Sequence, residues 1–194
     1  MNGKVTPLGE VVEFLDHLRR PITASERKPG NVPYYGANGV QGTIDSHIFD
    51  ENLVLVAEDG GHFENPSRGV AYRISGPSWV NNHAHVLRPR AELDVGFLHR
   101  ALENFDFMPY ISGSTRAKLT KGALSSVELR IPSLVEQQRI AAILDAVDEL
   151  RVNLQKARDL LEELYDSYFT ELFQSAEFTC VSLEKICTKI TDGT

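Results

Sequence analysis

The sequence predicts an α+β protein, a mixed globular domain over residues 1–134 followed by a long coiled-coil-forming α-helix over residues 135–175. Three observations carry that expectation. Between Ile140 and Tyr168, the residues Ile140, Ile143, Val147, Leu150, Leu154, Ala157, Leu161, Leu164 and Tyr168 step by three and four. They fill the a and d positions of about four heptads, the repeat that lets one helix lie against another. Glycine and proline cluster in the first two thirds, and neither occurs from Val135 to Phe173. Before residue 134 the apolar residues come in short runs bounded by turn residues, as strands and short helices do.

Taken in order, Val5 to Leu18 has helical spacing, with Leu8, Val11, Val12 and Leu15 on one side. Arg19-Arg20-Pro21 and Glu26-Arg27-Lys28-Pro29-Gly30 mark an exposed loop. Val32 to Val40 is a short strand broken by glycines, with Asn38-Gly39 as a tight turn, and residues 40–49 continue as a strand. Leu53 to Ala57 is a continuous apolar run, a buried strand delivering the polar loop Glu58-Asp59-Gly60-Gly61. Strands are expected at residues 71–74, 84–88 and 127–131, a helix from Leu93 to Phe105, and a polar loop from Gly113 to Lys121. Ser133 with Glu136 three residues later fits a capping box opening the long helix. At roughly 1.5 Å per residue that helix is about 58 Å long. After it, Leu183-Glu184-Lys185-Ile186-Cys187 echoes the apolar spacing of Leu8 to Val12, so residues 176–194 read as a tail or the entrance of another domain.

Composition narrows the class. The 194 residues are 42% apolar, enough for a core. No run approaches the roughly 18 apolar residues of a membrane span. The N-terminus lacks the basic-then-apolar order of a signal peptide. Cys180 and Cys187 make neither a disulfide framework nor a metal site. A cytoplasmic protein with no membrane association is the expectation. The net charge of −7 argues against nucleic-acid binding until the chain is divided. Residues 1–134 hold 14 Lys and Arg against 15 Asp and Glu, net −1, whereas residues 135–194 hold 6 against 12, net −6. The globular part is therefore free to carry a basic face.

Several of these features together resemble the specificity subunit of type I restriction–modification enzymes. The most specific element is LTKGALSSVELRIPSLVEQQRIAAILDAVDEL, Leu119 to Leu150, in which a strand and an Ile-Pro turn lead into a Glu-Gln-x-x-Ile helix start. Leu8-Gly9-Glu10-Val11, Pro33-Tyr34-Tyr35-Gly36-Ala37-Asn38-Gly39, Leu55-Val56-Ala57-Glu58-Asp59-Gly60 and the ending Thr191-Asp192-Gly193-Thr194 support it. The resemblance implies a target-recognition domain over 1–134, a spacer and dimerisation helix over 135–175, and the start of a second recognition domain over 176–194. Family members usually carry two recognition domains and two antiparallel helices; this chain has one of each, as a half-subunit or fragment would. The implied function is reading one half of a bipartite double-stranded DNA target. Separate methyltransferase subunits methylate adenine using S-adenosylmethionine, and a motor-nuclease subunit cleaves. The subunit itself is expected to have no catalytic residue, no metal and no cofactor.

DNA reading needs cations and amides at phosphates and donors or acceptors at base edges. Ser114, Thr115, Arg116, Lys118, Thr120 and Lys121 offer these within one loop, read either as a DNA contact or as a solvated loop. Arg19, Arg20, Arg27 and Lys28 form a second basic cluster with the same two readings. Tyr34, Tyr35 and Asn38 present rings and an amide to a groove, or the rings belong to the core. Asp59, with Glu58, orders the reading surface or accepts from a cytosine amino group; no Glu-x-Lys follows to suggest a nuclease. His83 and His85 share a strand face but lack a third ligand in register, so a hydrogen-bonding role is expected.

The seam Ile140, Ile143, Val147, Leu150, Leu154, Leu161, Leu164 and Tyr168 is expected to pair two copies as an antiparallel homodimer. Arg151 and Arg158 at e positions face acidic residues of the partner in that reading. Two rivals remain: a coiled-coil scaffold whose globular domain does not read DNA, and a self-contained methyltransferase or nuclease. Against the second, no glycine-rich cofactor loop follows a strand and no Asn/Asp-Pro-Pro-aromatic tetrapeptide is present.

Overall fold

A computed structural model describes residues 3–65, 69–113, 117–175 and 181–187. The chain divides into two compact units, Met1–Asp145 and Ala146–Thr194. The elements of the first are β1 (Lys4–Pro7), α1 (Leu8–Val11), β2 (Val12–Phe14), β3 (Val32–Gly36), β4 (Gly39–Ile44), β5 (Phe49–Asp50), β6 (Leu53–Ala57), β7 (Ala71–Ile74), β8 (Pro77–Val80) and β9 (Ala84–Pro89). They continue with α2 (Val95–Glu103), β10 (Ile111–Ser112), β11 (Lys118–Leu119), α3 (Lys121–Ser125) and β12 (Glu128–Ile131). Helix α4 (Leu134–Ser175) begins here and runs on through the second unit, which also holds α5 (Leu183–Ile186).

Strand β6 explains the layering. Its five residues are all buried and its two faces serve different cores. Val54 and Val56 join Leu8, Val12, Phe97, Leu98, Leu102, Leu124 and Leu129, under the helices. Leu53 and Leu55 join Phe49, Ile74, Val80 and Val86, toward the second sheet. A strand covered on both sides has no polar face to alternate with, hence the unbroken apolar run. The first sheet is antiparallel, in the order β2-β9-β6-β7. The second runs β4-β3-β8-β5, with β3 and β8 parallel. Tyr34, Ile44 and Trp79 form a third small core, with Ile22 and Val32 packed against it.

The first eighteen residues differ from the helix expected there. Leu8, Val11, Val12 and Leu15 are all buried, as the spacing requires, but only Leu8–Val11 is α-helical, and Asp16–Leu18 forms a short 3₁₀ turn. Long-range strand pairing takes the flanking residues: β1 pairs with β12, and β2 with β9. Residues 40–49 also split, into β4 and β5, which lie at opposite edges of the second sheet. Strand β8, bearing Trp79, has no strong local signal and is held between β3 and β5.

The first turns of α4 belong to the globular unit. Gln137 is 0% exposed, and its side chain closes three bonds. Its Oε1 accepts from the Asp94 amide at 2.8 Å, and its Nε2 donates to the carbonyls of Glu92 and Pro132, both at 3.0 Å. Asp94 in turn caps α2 by accepting from the Phe97 amide. Two turns on, Asp145 meets Arg100 at 2.6 Å and Arg73 at 3.1 Å. Burial raises the Asp145 carboxyl, but those two guanidiniums outweigh it and hold it below the usual range. Between these anchors α2 and α4 touch at Gly96, where an added Cβ would lie 3.0 Å from that of Ala141 and 3.1 Å from Arg73 Nη1. Gly96→Val is therefore expected to destabilise the unit by about 2–3 kcal/mol, readable as a lower thermal midpoint. Glu136, expected to cap the helix, engages Arg139 at 2.7 and 2.8 Å.

In the second unit α4 presents exposed apolar side chains, including Tyr165 stacked on Phe169 and Phe169 against Phe173. Arg151 and Arg158 pair within the helix, with Asp148 and Glu162. No helix among the described residues is long and apolar enough to cross a membrane.

Candidate nucleic-acid interface

Four segments far apart in sequence meet at one edge of the globular unit. The Asn38 turn between β3 and β4 reaches the loop after β6, where Asn38 Nδ2 donates to the Gly60 carbonyl at 3.0 Å. That loop is sewn to β11: the Leu119 amide donates to the Glu58 carbonyl at 2.8 Å, and Asp59 bridges Lys118 through the backbone. The turn before β9 joins from the other side, with the Glu58 amide donating to the His83 carbonyl at 2.8 Å. His83 Nδ1 lies 2.6 Å from Asp59 Oδ1. The edge thus displays the β3–β4 turn, the acidic-glycine loop and the stem of the β10–β11 hairpin together.

Beneath it lies a charged cluster. His85 is buried, with Nδ1 2.6 Å from Asp16 Oδ2 and Nε2 2.8 Å from the Leu119 carbonyl. The ring is thus fixed between a carboxylate and a backbone carbonyl. Asp16 Oδ1 accepts from the Val86 amide at 2.9 Å. Arg19 reaches Glu58 Oε2 and the Ala84 carbonyl, each at 2.7 Å, and Lys118 Nζ lies 3.1 Å from Glu58 Oε1. Burial raises the Asp16 carboxyl, but the His85 bond and charge, the Val86 amide and Arg19 prevail and hold it low. Burial likewise opposes ionisation of Glu58, and the bonds from Arg19 and Lys118 prevail there. Ligand atoms of Asp16, Glu58 and His85 lie within 4.8 Å of one another, a spacing that suits a metal ion. Arg19 and Lys118 already supply the positive charge such an ion would bring, and each of the three residues is bonded to a protein partner.

The expected contact residues divide by placement. Arg20, Lys28, Asn38, Lys118, Thr120 and Lys121 are exposed. Thr120 caps α3, accepting from the Ala123 amide at 3.2 Å, and Lys121 Nζ lies 5.2 Å from the Phe14 ring centroid. Ser114, Thr115 and Arg116 lie outside the described residues. Arg19 is turned inward, as above. Arg27 is spread over the Tyr34 ring at 3.7 Å and donates to the carbonyls of Ile22 and Gln41. Tyr34 is 1% exposed, and its hydroxyl exchanges bonds with the Ile22 amide and carbonyl. Tyr35 is half-buried against Tyr72, so of the two sequence readings the core one describes both rings. Burial pushes the Tyr72 hydroxyl well above its usual range, and it donates to the Gly36 carbonyl. Asp59 is partly covered and engaged with His83.

Along α4, Ile140 packs on the globular core, whereas Ile143 is 49% exposed. Val147, Leu150, Leu154, Leu161, Leu164 and Tyr168 are 40–66% exposed. Sequence reasoning missed Asp16 and the Asp145–Arg100–Arg73 group, and it quoted Gln137 only as part of the Glu-Gln-x-x-Ile helix start, without a role. Gln137 alone had a local signal, since it sits with Ile140 and Ala141 on the inward side of α4.

Residues 2–164 match the family model described as the type I restriction modification DNA specificity domain. A putative type I restriction enzyme specificity subunit of Haemophilus influenzae is 40% identical over 145 residues, 74% of this chain and 37% of that protein. The EcoprrI specificity subunit of Escherichia coli is 26% identical over 153 residues, 77% of this chain and 37% of that protein. Among solved structures, the S subunit of a type I restriction-modification system from M. genitalium aligns with a TM-score of 0.66 at 20% identity. That alignment covers 91% of this chain and 47% of the other. The HsdS subunit from Thermoanaerobacter tengcongensis aligns at 0.54 with 19% identity, covering 88% and 44%. The chain thus spans less than half the length of the relatives it matches. It belongs to the type I restriction modification DNA specificity domain family.

Proposed function

We propose that this chain is a DNA-reading half of a type I restriction–modification specificity subunit. Residues 1–134 read one half of a bipartite duplex target, residues 135–175 space the halves, and residues 176–194 begin a second recognition domain or a tail. The observation that carries this reading is the family match over residues 2–164. It is supported by the loops gathered at one edge, which display Asn38; in this reading Arg20, Lys28 and Lys121, with Ser114, Thr115 and Arg116 outside the described residues, also serve phosphates and base edges. Methyltransferase subunits and a motor-nuclease subunit supply the chemistry, and the chain contributes no catalytic group. Co-purification with a modification subunit, followed by mapping methylated adenines across a genome, tests the reading. Methylation confined to one bipartite motif is the expected result, and methylation independent of sequence removes it.

Two copies pair antiparallel along α4 in this reading. Exposure of the Val147-to-Tyr168 seam supports it, because a row of bare leucines is costly in water. A two-fold axis then relates the reading domains, and the target becomes two inverted half-sites with a fixed gap. Light scattering after size exclusion is expected to give a dimer at micromolar concentration. Leu154→Glu with Leu161→Glu is expected to raise the dimer dissociation constant at least about 100-fold, since each buried leucine is worth about 2 kcal/mol or more. A monomeric wild-type chain removes the pairing.

A further inference from the structure

A basic residue beside a DNA-reading loop is ordinarily assigned to phosphates, and Lys118 looks like one. Its surroundings say otherwise. Lys118 is 48% exposed, yet its Nζ lies 3.1 Å from Glu58 Oε1, and the same carboxylate takes Arg19 at 2.7 Å through Oε2. Glu58 is held in place from behind. It directly follows the buried run of β6, its amide donates to the His83 carbonyl and its carbonyl accepts from the Leu119 amide. It has no long loop through which to swing clear. Two of the cations that the sequence offers to DNA therefore share one fixed carboxylate, and a phosphate approaching Lys118 has to displace Glu58 or accept its negative charge nearby. Lys121, three residues on, contacts the Phe14 ring and has no carboxylate partner among the described residues.

We propose that Glu58 is a specificity-determining residue, which holds Lys118 away from the phosphate backbone and so keeps sequence-independent DNA affinity low. The proposal rests on the DNA-reading function argued above. Phosphate contacts raise affinity for every sequence alike, because each releases counterions regardless of the bases nearby. A reading domain that must leave wrong sites quickly gains from neutralising cations that do not report on sequence. Glu58 does so while fixing the stem of the loop that carries Ser114, Thr115 and Arg116.

The test is fluorescence anisotropy of the full chain on a duplex of arbitrary sequence, over a series of KCl concentrations. Glu58→Gln keeps the shape and removes the charge. It is expected to bind about five- to tenfold more tightly at low salt, with a log–log salt slope steeper by about one per copy. Adding Lys118→Met to Glu58→Gln is expected to cancel the gain. If Glu58→Gln is folded by circular dichroism and binds no better than wild type, the proposal falls. If Glu58→Gln does not fold, the comparison passes to Lys118→Met and Lys121→Met in the native background. There Lys121→Met must lose clearly more affinity than Lys118→Met, and equal losses overturn the proposal. Wild-type binding without the gain removes only the role of Glu58. Absence of salt-dependent binding in every variant removes the DNA reading itself and the proposal with it.

Discussion

Gln137→Leu is expected to lower the unfolding free energy of the globular unit by about 3 kcal/mol, through the polar groups it abandons rather than the contact it removes. Leucine fills much the same space, but the Asp94 amide and the carbonyls of Glu92 and Pro132 then lose the partners they have now. Each buried, unpaired group costs about 1–3 kcal/mol, partly recovered where the backbone relaxes. In a domain of this size that is a fall of roughly 6–12 °C in the thermal midpoint. Gln137→Glu is the sharper companion, since it keeps the acceptor toward the Asp94 amide but replaces the donor by a second acceptor facing two carbonyls. A scanning calorimetry shift below about 2 °C for Gln137→Leu would show that the start of α4 is held by Ile140 and Ala141 alone.

Arg19→Met is expected to cost about 2–3 kcal/mol at neutral pH, measured by urea denaturation. Breaking a buried ion pair by removing one partner typically costs about 3–5 kcal/mol. The lower figure follows because Lys118 still faces Glu58 and His85 still faces Asp16. The acid dependence identifies the cause. Asp16 and Glu58 are both held below the ordinary carboxylate range in the fold, so the folded state binds fewer protons there than the unfolded chain. Their stabilisation is complete above about pH 4–5 and is lost as pH falls through the folded values. Wild type therefore loses stability on acidification, and its advantage over Arg19→Met narrows between about pH 5 and pH 3. A constant gap across that range would mean that Arg19 acts through its bonds to the Asp16 and Ala84 carbonyls, not through charge.

Period-based reading succeeded where one element is decided by its own residues. The run Leu53 to Ala57 is buried on two faces, and α4 (Leu134–Ser175) has a repeat that no glycine or proline interrupts. It failed where a distant strand decides. Leu8, Val11, Val12 and Leu15 have helical spacing and are all buried, yet β12 and β9 draw the flanking residues into sheets. The site divides in the same way. Asn38 lies in a turn and Lys121 opens α3, both in stretches that composition marks as exposed, whereas Asp16, Glu58 and His85 are separated by 42 and 27 residues and meet only through sheet pairing. Nothing local distinguishes Arg19, which is turned inward, from its neighbour Arg20, which is not. The difference is that the Arg19 side chain finds Glu58 and the Ala84 carbonyl within reach.

The pairing of β1 with β12, from Lys4 opposite Ile131 to Pro7 opposite Glu128, makes the globular unit a bead whose two threads leave through one hole. Closing the chain between those strands is already accomplished by the sheet, so its interior is exchangeable as a cassette. Two crossovers, one at each thread, would replace that interior and leave the downstream helix untouched.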